Sequence, residues 1–106
     1  REFLYIDDMA EACLWLMQNY ESSELINIGS GNEISIRKLA EIIREVVGFQ
    51  GEIRFDAAKP DGTPRRVLDN SKILATGWKP KVDMKEGIRR EYEYYLSKLG
   101  TVLQNG

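Results

Sequence analysis

No histidine occurs among the 106 residues. Histidine triads, the HExxH zinc site and a histidine general base are therefore excluded within this chain. A single cysteine, Cys13, excludes an internal disulfide and zinc sites built on cysteine pairs, and it fits a reducing cytoplasm. No metal site is expected. A basic excess is also lacking: 15 lysines and arginines stand against 17 acidic residues, which argues against broad nucleic-acid binding. No apolar run approaches the ~20 residues of a membrane span, and no stretch has the pattern of a signal peptide. Chemistry performed by these side chains alone would rest on Asp, Glu, Lys, Tyr, Cys or Arg.

What is present is an ordinary globular mixture, 42% apolar and 30% charged. The length suits one compact domain with its own core and leaves no room for a second. "FLYI" (3–6), "LINI" (25–28) and "EIRF" (52–55) read as strands. Asp7 or Asp8 is placed to cap a helix over 9–19. Ser35 and Gly48 bracket a clean amphipathic helix. Asp69 or Ser71 opens a short helix through Ala75, which Gly77 and Pro80 end and Trp78 follows. Asp83 and Glu86 form an acidic capping box before a last helix over 84–99. The fold class is α/β, ordered strand-helix-strand-helix-strand-helix-helix, with 100–106 expected as a flexible tail.

Several patterns have a plain structural explanation. "GSGNEI" follows a strand and precedes a helix, but the dinucleotide fingerprint needs a third glycine where Ile34 sits. Cys13 lies among Met9, Leu16 and Met17 and is expected in the core rather than as a reactive thiol. Tyr92, Tyr94 and Tyr95 sit on an acidic helix that would repel phosphate, so they are expected to pack. Trp15 falls in the polar stripe of its helix, beside Asp8, Glu11 and Gln18. It is expected to be exposed or covered by another lobe or a second copy, and not sealed in this chain's core.

The stretch "KPDGTPRR" (59–66) is different. Pro60-Asp61-Gly62 is a turn with a mechanism, and Pro64 stiffens its exit. Arg65 and Arg66 are thereby delivered to a nearly fixed place. In an extended segment they point to opposite sides, so one faces a cleft and the other the core edge or solvent. A guanidinium suits a phosphate or pyrophosphate; a solvated basic turn is the equal alternative on chemistry alone.

"REFLYIDDMAEA", "INIGSG", "KPDGTPRRVLD" and "GWKP", in this order and spacing, resemble the C-terminal part of the GDP-L-fucose synthases, extended short-chain dehydrogenases. The resemblance runs from Arg1 to about Leu99. It implies a two-lobed parent: an N-terminal Rossmann lobe binding NADP and a C-terminal lobe, residues 1–99 here, gripping the GDP-sugar. Carried over, the substrate-binding residues are Arg1, Asp61 and Arg66, with Arg65 as a neighbour; the family usually has lysine where this chain has Arg66. The family's cofactor loop, Tyr/Lys pair and catalytic Cys and His match nothing here, and Cys13 is none of them.

The resemblance implies that the parent epimerises GDP-4-keto-6-deoxy-D-mannose and reduces it with NADPH, as a cytoplasmic homodimer. The chain begins inside an apolar run and reads as a piece of something longer. Alone it is expected to be inactive and to bind no cofactor. The rivals are a segment of another nucleotide-sugar epimerase or dehydratase, and a non-catalytic module whose basic loop binds a partner protein.

Overall fold

A computed structural model describes the backbone of residues 1–105 and the side chains of residues 1–100. Four helices follow one another: α1 (Ile6–Asn19), α2 (Ile36–Val47), α3 (Ser71–Ala75) and α4 (Met84–Asn105). The expected strands do not form. Among the described residues the only β-pairing is one isolated antiparallel bridge, Glu2 to Glu33, and Ile6 belongs to α1. The α/β alternation is thus corrected to helices joined by irregular segments. The physical reason is that alternation marks a face, whereas a strand exists only through hydrogen bonds to a neighbour, and none reaches 25–28 or 52–55 from a paired strand among the described residues.

Local signals fare better. Ser35 Oγ accepts from Lys38 N at 3.1 Å, and Gly48 closes α2 in the left-handed region at φ 78°, a conformation that favours glycine. Asp69 Oδ1 accepts from Ser71 N at 3.0 Å, just ahead of α3. Asp83 Oδ1 accepts from Glu86 N at 2.8 Å, one half of the expected capping box. The other half is absent, because the Glu86 carboxylate is held instead by Arg89 and Arg90. The helix α4 continues beyond the expected 84–99 to Asn105. The flexible tail expected over 100–106 lies, at Gly106 and in the side chains of 101–106, outside the described residues.

The helix α1 carries the largest correction. Neither Asp7 nor Asp8 caps it; Tyr5 holds that position without a side-chain bond. Asp8 is instead buried, accepting from Lys81 N at 3.1 Å and Val82 N at 3.0 Å. Two backbone donors satisfy a buried carboxylate that periodicity places in solvent. Ala12 is fully buried one turn on, and Trp15 is half-buried against Ala12, Ile73 and Trp78. Trp15 Nε1 donates to Thr76 Oγ1 at 2.9 Å. Cys13 and Met17, expected inside, are exposed. Asp8 and Ala12, on the side assigned to solvent, thus turn inward together with Leu16 from the expected inner face, while Trp15 is half-buried against its own chain and, as expected, not sealed in the core.

The core is small. Ala12, Ile73 and Trp78 are its buried members, with Leu4, Leu16, Ile26 and Ile28 packed around them. The radius of gyration is 17.3 Å, against about 13 Å for a compact chain of this length. The expectation of a closed domain with its own core is not met. Ile6, Met17 and Leu25 are exposed, as are Tyr94, Tyr95, Leu96 and Leu99 on α4, where packing was expected. The helices α2 and α4 lie side by side, joined by a 2.6 Å ion pair between Lys85 and Glu45. Tyr5 packs against Gly87 and under Arg90, fixing the N-terminal segment on α4.

Candidate nucleotide-phosphate site

Three segments far apart in sequence meet around the basic loop. The Arg1 nitrogen donates to Ile34 O at 2.8 Å, and Ile34 N returns a bond to Arg1 O at 2.8 Å. This pairing lays the first residues along the end of the "GSGNEI" turn. The guanidinium of Arg1 reaches across to the loop, Nη1 donating to Thr63 O. Its Nη2 lies beside Gly62, 3.1 Å from where a Cβ would stand. Only one of the five guanidinium N–H groups is engaged in that bond, leaving others free for an anion.

The two arginines at the end of the loop differ. Arg65 Nε donates to Glu33 Oε1 at 2.7 Å, so its charge is neutralised from the glycine turn. Arg66 is exposed and has no hydrogen-bond or ion-pair partner among the described residues. Both arginines are exposed, Arg65 turned toward the glycine turn and Arg66 left open. Asp61 is likewise exposed and unpartnered among the described residues.

Glu2, Glu33 and Asn70 were not singled out by the sequence reading. Glu2 Oε2 accepts from Gly31 N at 3.0 Å and Glu2 Oε1 from Leu68 N at 3.4 Å. Asn70 Nδ2 donates to Gly29 O at 3.3 Å. The loop is therefore pinned at Thr63, Arg65 and Leu68. The one signal that could have found the acids is their place in the bridge beside Arg1 and the glycine turn.

The charged side chains named here balance, Arg1, Arg65 and Arg66 against Glu2, Glu33 and Asp61, so what the site offers an anion is the open guanidinium of Arg66 and not a net positive field. Asp69, at the loop's far end, has its carboxyl held below the ordinary range by the Ser71 backbone N–H and then by the Ser71 side chain. It stays ionised and anchors the start of α3. No cluster of His, Cys, Asp or Glu suited to a metal exists among the described residues, and no described helix is long and apolar enough to cross a membrane.

The profile of the NAD dependent epimerase/dehydratase family matches residues 1–29. The chain is 50% identical over 99 residues to "GDP-L-fucose synthase 1" of Arabidopsis thaliana, covering 93% of this chain and 31% of that protein. The structure of a GDP-6-OMe-4-keto-L-xylo-heptose reductase from C. jejuni superposes with a TM-score of 0.85 at 39% identity, over 92% of this chain and 31% of that one. A GDP-mannoheptose C4 reductase from Campylobacter jejuni with NADP bound gives 0.78 at 40% identity, over 90% and 31%. The chain thus spans about a third of the length of the relatives it matches.

Proposed function

We propose, from the chain's place with the C-terminal part of the GDP-L-fucose synthases in the extended short-chain dehydrogenase/reductase family, that it supplies the GDP-sugar side of an NADP-dependent enzyme. That enzyme converts GDP-4-keto-6-deoxy-D-mannose to GDP-L-fucose by epimerisation and reduction. The single observation that carries the reading is Arg66: an open guanidinium, unpaired among the described residues, on a loop pinned on both sides, with the Arg1 guanidinium on the same loop. With the loop backbone already held, meeting a pyrophosphate orders only the arginine side chain, so less of the attraction is spent on ordering the loop.

In this reading Arg66 and the free N–H groups of Arg1 hold the diphosphate. Arg65, already matched by Glu33, orients the loop. Asp61 can only accept, so its role is toward ribose hydroxyls or guanine N–H groups. The glycine turn does not offer a cofactor cradle, since Gly31 N is taken by Glu2 and Ile34 N by Arg1 O. NADPH, which supplies hydride when bound, is assigned to a lobe outside this chain.

An open groove supports the presence of such a lobe or of a second copy of the chain. It measures about 750 Å³ and runs between the N-terminal segment, α2 and α4, lined by Phe3, Tyr5, Leu39, Ile43, Val82 and Ile88 among others. A homodimeric, cytoplasmic parent completes the reading, with the lone free Cys13 in keeping with a reducing compartment.

Titration of the intact protein with GDP, UDP and inorganic phosphate tests this. GDP-selective binding is expected. A preference for UDP points to a different nucleotide sugar, and absence of nucleotide binding returns the loop to a protein-contact role.

A further inference from the structure

We infer that Glu2 is a positioning residue of the diphosphate site, acting through the loop that carries Arg66 and never touching the ligand. The inference rests on the nucleotide-binding reading above. Its carboxylate accepts from two backbone N–H groups on different segments, Gly31 at 3.0 Å and Leu68 at 3.4 Å, which are 29 and 66 positions away in sequence. The Gly31 bond is of ordinary length and the Leu68 bond a long one, so the carboxylate is anchored on the glycine turn and guides the loop from there. Leu68 stands two residues beyond Arg66. Holding its N–H fixes where the extended segment leaves the site, and so where the guanidinium of Arg66 begins its reach.

Gly29 supplies an independent observation. Its backbone is not in the left-handed region, so no conformational demand requires glycine there. The demand is spatial. A Cβ on Gly29 would stand 2.5 Å from Glu2 Oε1 and 3.1 Å from the Glu2 carboxyl carbon. The place a side chain would occupy is filled by the carboxylate of Glu2. A methyl group at Gly29 meets the mobile end of a side chain and not backbone, so it displaces the carboxylate while leaving the turn in place.

Glu33 does not substitute for this. Its bond to Arg65 joins two exposed side chains, 73% and 39% accessible, and such pairs hold weakly. The clasp that ties glycine turn to loop through backbone atoms is Glu2. Glu2→Gln keeps one acceptor and turns an NH₂ group toward the other backbone N–H, breaking one arm without changing shape.

The test uses the intact protein and GDP as probe. Glu2→Gln and Gly29→Ala are each expected to weaken GDP binding about tenfold, the scale of one charge-assisted hydrogen bond. The double variant is expected to be no weaker than Gly29→Ala alone, because once the side chain is displaced the clasp has no arm left to lose. With the keto-sugar substrate the loss is expected in KM and not in kcat, which general loosening of the fold would not reproduce. Should Glu2→Gln fail to fold, Gly29→Ala carries the test by itself. Losses that multiply in the double variant overturn the inference. So does unchanged GDP affinity in both single variants while Arg66→Ala weakens it, and in that case the nucleotide reading survives. If Arg66→Ala changes nothing, the nucleotide reading falls and this inference falls with it.

Discussion

Arg65 is bonded to Glu33 at 2.7 Å through Nε, and Arg66, its immediate neighbour, is bonded to nothing among the described residues. Adjacent residues of one charge thus stand in different surroundings. We predict that Arg65→Ala weakens GDP binding less than Arg66→Ala does, by no more than about 1 kcal/mol, since it removes an exposed ion pair and not a ligand contact. Parallel calorimetric titrations of the two variants check the order, and equal losses would argue that both guanidinium groups reach the anion.

A second prediction concerns Asp8, which is 3% exposed and accepts from Lys81 N and Val82 N. Asp8→Ala leaves two backbone donors without their charged acceptor and is expected to destabilise by about 2–4 kcal/mol. Asp8→Asn retains one acceptor oxygen and should lose less than half of that. Denaturant unfolding of the intact protein measures both, and a neutral Asp8→Ala would mean that water replaces the carboxylate there.

The pH dependence of α4 follows from Glu86. The guanidinium of Arg89, and then that of Arg90, holds its carboxyl down from 4.5 to about 2. A carboxyl depressed in the folded state adds stability that is fully present above its unfolded value and is lost as pH falls through the folded one. The contribution is therefore present above 4.5 and disappears toward 2. Helix content followed by far-UV circular dichroism during acid titration should show this component in the wild type, and Glu86→Gln should lack it. Identical acid curves would count against the Glu86 network.

How much of this was readable in advance depended on whether the cause was local. The helix α2 was read from cap to cap because Ser35, Lys38 and Gly48 settle it among themselves. The phase of α1 was misread because that helix is apolar on most sides. What turned Asp8 inward was a pair of N–H groups more than 70 positions away, and what seated Trp15 was Thr76, 61 positions away. The strands failed for a related reason: their alternation was visible, but no neighbour pairs with them among the described residues.

At the candidate site, turn chemistry showed that the loop of Arg65 and Arg66 would be stiff. Its meeting with Arg1 came from resemblance alone, and the structure brings them together. Glu2 and Glu33 escaped notice because acids beside arginines read as solvated surface charge. Only the fold shows them gripping backbone and guanidinium.

The central claim is that the exposed Arg66 holds a nucleotide diphosphate, and GDP titration of Arg66→Ala against wild type in the intact protein tests it most directly. A loss of about 1.5–3 kcal/mol of binding free energy is predicted, the range for a hydrogen bond to a charged group. Thermal stability should stay within about 0.5 kcal/mol, as for other surface substitutions. GDP affinity unchanged by the substitution would contradict the account.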